Sequence, residues 1–146
     1  MNQKSSKLNH RNMIPVIDCT WIKIQNEKKF QSFITERLRQ NWWFVAKFSD
    51  QAMGYKPYDF VCAYKTGTFH VELKYQALTE KSFYKSKIRP NQHASLKLIS
   101  QYCPQSALVW IYVQADKRYY VFTYNYLMEQ MKWKSCIVLS KIEKEA

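Results

Sequence analysis

The stretch Phe69-His70-Val71-Glu72-Leu73-Lys74-Tyr75 constrains the fold of this chain more than any other. Side chains on a strand alternate between its two faces. Phe69, Val71, Leu73 and Tyr75 therefore line one face, and His70, Glu72 and Lys74 line the other. The first set calls for a core to cover it. The second sets two charges in the middle of an apolar strand, which is costly unless each is paired or binds a metal. The turn signal Lys65-Thr66-Gly67 joins this strand to residues 58–64 as a hairpin. Pro57 precedes the first strand, where its missing N–H is tolerated. Twelve residues separate Asp59 from Glu72, and the hairpin sets the two carboxylates side by side. Carboxylates held that close repel each other unless a hard divalent cation neutralises them. With the Leu73 carbonyl they offer oxygen ligands suited to Mg²⁺ or Mn²⁺, and Lys74 is placed to orient an attacking water or to stabilise the transition state. The same residues also fit a strand-entry Asp and an exposed Glu–Lys pair on a half-solvated sheet.

The remaining pattern is mixed α/β. Asn26 caps a predicted helix running to about Gln40, with Phe30, Phe33, Ile34 and Leu38 at helical spacing. Residues 42–48 form an aromatic run that predicts the first strand, and residues 49–55, with Gly54, read as a loop. After the hairpin, residues 76–89 have no clear period and read as a loop. Pro90 opens a helix that extends to about Tyr102. Residues 106–113 are continuously apolar, as in a buried strand. A turn at Ala115-Asp116-Lys117 leads into a strand over 118–124, a short helix over 125–132 and a short strand over 136–140. The expected architecture is a central mixed sheet, an antiparallel meander plus further strands, flanked by helices. Residues 1–13 read as a loose basic arm and 14–146 as one domain.

Pro57-Tyr58-Asp59, twelve residues, then Glu72-Leu73-Lys74 resembles the PD-(D/E)xK nuclease signature, and the element order matches the restriction-endonuclease-like core of that superfamily. The superfamily typically adds an acid from the first helix, and the resemblance implies Glu36 for that place. Lys87-Ile88-Arg89-Pro90-Asn91-Gln92-His93 resembles the segment opening the second helix of RecU-type Holliday-junction resolvases, which ends in His-Gln with the Gln near the metal. Here Gln precedes His, so either Gln92 or His93 is the equivalent position. Gln92 shares a helical stripe with Leu96, Ile99 and Cys103, which favours it. The resemblance implies a Mg²⁺-dependent endonuclease selective for four-way junctions and acting as a homodimer, with Asp59, Glu72 and Leu73 at the metal, and Glu36, Lys74 and Gln92 completing the site. A restriction-, repair- or phage-type endonuclease on duplex DNA, and a nucleic-acid-binding module with a vestigial site, are the alternatives.

Charge points the same way. The 146 residues carry a net charge of +12, which favours a polyanionic partner. No basic amphipathic helix with a continuous apolar face and no run of about 18 apolar residues stands out, so nucleic acid is favoured over a membrane. Lys81, Lys85, Lys87 and Arg89 follow the charged strand directly and are predicted to contact phosphates. Phe83 and Tyr84 among them are the base-stacking candidates, whereas Trp42, Trp43, Trp110 and Tyr112 are expected in the core. Cys19, Cys62, Cys103 and Cys136 lie far apart in sequence, with no zinc-type cluster, and are expected as buried free thiols. The setting this implies is cytoplasmic or nucleoid-associated, compatible with a phage or mobile element as source.

Overall fold

The structure is a computed structural model that describes residues 17–20, 22–48 and 56–143. The expected arm and the loop over 49–55 lie outside the described residues. Helix α1 spans Glu27–Gln40, and the Asn26 side chain accepts the Lys29 N–H as its cap. Strands β1 (Phe44–Lys47), β2 (Phe60–Tyr64) and β3 (Gly67–Gln76) form an antiparallel meander. Gly67 closes the hairpin at φ 135°, a conformation that side chains with a Cβ rarely adopt.

Short strand β4 (Phe83–Tyr84) and a 3₁₀ turn over Lys85–Lys87 precede α2 (Pro90–Tyr102). Strand β5 (Ala107–Val113) then runs parallel to β3, and β6 (Arg118–Thr123) returns antiparallel to β5. Helix α3 (Tyr124–Gln130) follows, then β7 (Cys136–Ile137) and α4 (Leu139–Glu143). The main sheet has the order β1-β2-β3-β5-β6, so β3 is interior. It is a mixed five-stranded sheet flanked by helices, as expected.

Each face of the sheet carries its own core. On one face, Phe30, Ile34 and Leu38 of α1 pack with Phe60, Val71, Leu73, Leu108 and Trp110. On the other, Leu96 of α2 and Leu127 of α3 pack with Val109, Ile111 and Phe122. Every residue of β5 is buried, because helices cover both of its faces. No helix among the described residues is long and apolar enough to cross a membrane.

Five expectations change in outline. The first strand starts two residues late, because Trp42 belongs to the end of α1. Trp42 N–H bonds the Arg39 carbonyl and Trp43 N–H bonds that of Leu38, which is a Schellman ending. Trp42 holds the left-handed position of that ending at φ 69°, where glycine is usual and a side chain costs on the order of 1 kcal/mol. It is 85% exposed rather than in the core, whereas Trp43, Trp110 and Tyr112 are buried. Residues 76–89 are not a plain loop: Phe83 pairs with Ile137 and is fully buried, so it is no stacking candidate. The expected last strand stops at Ile137 and gives way to α4. Cys19 and Cys62 are buried free thiols, but Cys103 is exposed and Cys136 half-buried.

Candidate active site

Strand β2 begins at Phe60, opposite Val71, while β3 runs on to Gln76. Beyond Val71, then, β3 has no strand partner on that side among the described residues. Asp59 takes over there. Its N–H bonds the Val71 carbonyl, and its Oδ2 accepts the Leu73 N–H at 2.6 Å. The carboxylate replaces a missing rung of the ladder and is held beside Glu72, on the gap where the two strands part. Its other oxygen, Oδ1, lies 2.9 Å from Lys56 Nζ. Asp59 is 3% exposed and Glu72 1%.

Glu72 Oε2 lies 3.0 Å from Lys74 Nζ, and that ammonium donates a second bond to Gln92 Oε1 at 3.2 Å. Gln92 is buried on the sheet-facing side of α2, and its Oε1 also accepts the Arg89 N–H at the head of the helix. Asn91 donates to the Lys56 carbonyl and so ties the start of α2 to the segment that carries Asp59. Asp59, Glu72, Lys74 and Gln92 are thus brought together from the start of β2, from β3 and from α2. Buried Glu72 Oε1 has no hydrogen-bond partner among the described residues. Burial, and then repulsion from Asp59, push the Glu72 carboxyl up to about 8, against the pull of Lys74.

That shift predicts how stability follows pH. Folded Glu72 holds its proton far above the ordinary value of 4.5. The folded state therefore binds more protons than the unfolded chain between about 4.5 and 8, and stability falls as pH rises through that window. His70 and His93, lowered by burial, act in the opposite sense and only near and below their ordinary value of 6.5. Melting in EDTA is expected to show about 1 kcal/mol less stability at pH 8 than at pH 7. A melting temperature that is level over that interval would contradict the assignment.

Glu36 is not part of this cluster. It is exposed on α1, where its Oε1 meets Gln40 Nε2 at 3.4 Å. The α1 acid within electrostatic reach of the site is Glu27, in the first turn. Solvent reaches Glu27, but the protein crowding its carboxyl raises its pKa, the Lys74 charge lowers it, and Asp59 raises it. An acid directly after an N-cap reads as a helix-dipole partner, so the sequence pattern alone does not single it out. Lys56 is a further addition of the structure; its signal in the sequence is a basic residue three before Asp59.

The basic segment divides. Lys81, Tyr84, Lys85 and Arg89 are exposed. Lys87 is engaged within the protein: its Nζ lies 2.7 Å from Glu80 Oε2 and donates to the Tyr75 carbonyl. It pins the segment to the end of β3 and is not a free phosphate contact. His93 is half-buried, its Nδ1 2.7 Å from the Tyr124 hydroxyl. Cys103, expected on the buried stripe of α2, faces solvent, and Ser100 is buried instead.

A solved structure shares this arrangement of elements. Hjc of Archaeoglobus fulgidus, a Holliday junction resolvase from an archaeal hyperthermophile, aligns with 77% of this chain and 86% of its own at a TM-score of 0.56. The two share a fold. Sequence identity is 15%. No protein-family model matches the sequence, and no curated protein does. Among the described residues, no group of three or more His, Cys, Asp and Glu side chains is assembled as a metal cage. Asp59 and Glu72 are nonetheless a fitting pair for a hard cation, because a buried carboxylate oxygen without a partner stands next to a second carboxylate.

Proposed function

We propose that this chain is a divalent-metal-dependent DNA endonuclease that cuts branched DNA, a four-way junction foremost, and works as a homodimer. The observation that carries the reading is the unpartnered, buried Glu72 Oε1 beside Asp59, in a fold shared with a Holliday junction resolvase. Asp59, Glu72 and the Leu73 backbone carbonyl would hold Mg²⁺, with Mn²⁺ as a substitute. The cation would supply Lewis acidity at the scissile phosphodiester. Lys74 keeps one of its three N–H donors beyond those given to Glu72 and Gln92, enough for one bond to an attacking water or a phosphoryl oxygen. Gln92 orients that ammonium. Glu27, at the rim, is suited to accept a proton from water.

The deciding experiment compares a four-way junction with linear duplex of the same sequence, in Mg²⁺ and in EDTA. Paired nicks in the junction, only with Mg²⁺, support the proposal. Equal cutting of duplex moves the chain to the restriction or repair class. Tight binding with no cutting in any metal makes it a binding module.

The divided basic segment gives a second test. Replacing Lys81 and Lys85 by Ala should flatten the slope of log affinity against log salt by on the order of one to two units, about 0.9 for each phosphate no longer neutralised. Lys87→Ala should leave the slope alone and lower the melting temperature, because Lys87 serves Glu80 and Tyr75. The opposite pattern would place the DNA path over Lys87.

A further inference from the structure

Strands β4 and β7 tie two basic segments together. Phe83 pairs with Ile137 and Tyr84 with Cys136, and the Lys85 N–H bonds the Ser135 carbonyl at 2.9 Å. Residues 81–89 and 130–142, joined by this ribbon, hold seven Lys and Arg and no acid, against 23 and 11 in the whole chain. The nearest acids in sequence are Glu80, which Lys87 neutralises, and Glu129, which precedes Lys132 by three.

The ribbon lies on the same side of the sheet as the candidate site. Val71 and Leu73 belong to the core under α1, so Glu72 and Lys74, which alternate with them, face α2. Phe83 and Ile137 belong to the core under α2. Contacts run from the site to the ribbon: Lys74 Nζ to Gln92 Oε1 at 3.2 Å, Nε2 of the adjacent His93 to the Lys85 carbonyl at 3.4 Å, then Lys85 to Ser135.

The second segment brings Lys132-Trp133-Lys134 to this side, in the turn between α3 and β7. Met131 and Ile137 anchor the turn in the core, the Lys134 N–H bonds the Met131 carbonyl, and Lys132, Trp133 and Lys134 are exposed. Trp133 is 87% exposed, with Lys132 Nζ over its ring at 5.5 Å. An indole at such a place leaves a large apolar face in water. A single indole without an amphipathic helix is a weak membrane anchor. A nucleic-acid backbone offers phosphates to the lysines and sugar to the ring.

We propose that Lys132, Trp133 and Lys134 extend the DNA path beyond Lys81 and Lys85. The two lysines neutralise backbone phosphates, and the indole packs on the deoxyribose between them, a surface that every paired arm presents. The inference rests on the reading of DNA as partner but not on hydrolysis.

The test is binding of labelled blunt duplex in EDTA, over a range of salt, by the full chain and its variants. Lys134→Ala should flatten the slope of log affinity against log salt by about 0.9, and Lys132→Ala with Lys134→Ala by one to about two units. Lys65→Ala is the control. It removes the same charge from an exposed lysine at the hairpin end of β3, on the order of 25 Å of strand from Tyr75, and should leave the slope alone. Trp133→Ala should weaken binding by about five- to tenfold at an unchanged slope, because the ring carries no charge. An unchanged slope in the double variant, an equal change in Lys65→Ala, or full affinity in Trp133→Ala would each overturn the proposal. So would a lower sedimentation coefficient for Trp133→Ala, which would make the turn a contact between copies of the chain. Loss of phosphatidylserine-vesicle binding in Trp133→Ala with DNA affinity intact would overturn it in favour of a membrane surface. The expected losses in a protein that cuts no DNA would refute the endonuclease and leave this surface standing. Junction cutting with unchanged slopes would do the reverse.

Discussion

Asp59→Asn is expected to lower the cleavage rate by on the order of a thousandfold or more while leaving DNA affinity within a few-fold of the parent. A bound divalent cation supplies several kcal/mol of transition-state stabilisation, and each 1.4 kcal/mol or so is a factor of ten in rate. Asparagine preserves the shape of the residue. Its side-chain carbonyl can still accept the Leu73 N–H that Asp59 Oδ2 now takes, so the end of β2 stays docked against β3. What disappears is the negative charge beside Glu72. Repulsion from Asp59 is one cause of the raised Glu72 pKa, so the variant should also lose part of the fall in stability between pH 7 and 8. Single-turnover cleavage and pH-dependent melting read the two effects separately. Full activity in the variant would remove Asp59 from the chemistry.

Lys74→Met should cost about a hundred- to a thousandfold in single-turnover rate, the range expected for losing one charge-stabilising donor. Methionine keeps the volume of the buried stem, and the site loses only the ammonium. Affinity for DNA should change little, because Lys74 is 6% exposed and is committed to Glu72 and Gln92. A variant with weakened binding and a normal rate would place Lys74 among the phosphate contacts. Gln92→Leu offers an internal comparison. It removes one of the two anchors of the ammonium but not the charge, so its defect should be smaller and should lie in rate as well.

The parts of this molecule legible in sequence are those set by local pattern. The alternation from Phe69 to Tyr75, the Asn26 cap and Pro90 at the first turn of α2 each act over a few residues, and each element stands where its signal lies. Local signals do not reach the pairing of Phe83 with Ile137, which joins residues more than fifty positions apart. They also mislead at Trp42, where hydrophobicity says core but the backbone hydrogen bonds of the helix ending turn the ring outward. The site follows the same division. Asp59, Glu72 and Lys74 are fixed by one hairpin and are legible as a unit. Which acid of α1 lies near them depends on how the helix packs across the sheet. Family resemblance puts Glu36 forward, whereas at about 100° per residue Glu27 falls within the apolar stripe of α1, between Ile34 and Leu38, and Glu36 about 60° beyond Phe33.

Strand β3 is hydrogen-bonded on both sides for part of its length, to β2 and to β5, and sits at the middle of the main sheet. Interior strands open only when the whole domain opens, whereas edges and ends fray on their own. The backbone amides of Glu72 and Lys74 point toward β5 and should be among the slowest in the chain to exchange with deuterium, at a rate set by global unfolding. Asp59 sits just outside the register of β2 and should exchange sooner. The two carboxylates then belong to parts of the molecule with different lifetimes. Modest heating or denaturant would separate them before the domain unfolds, and loss of activity would precede loss of secondary structure.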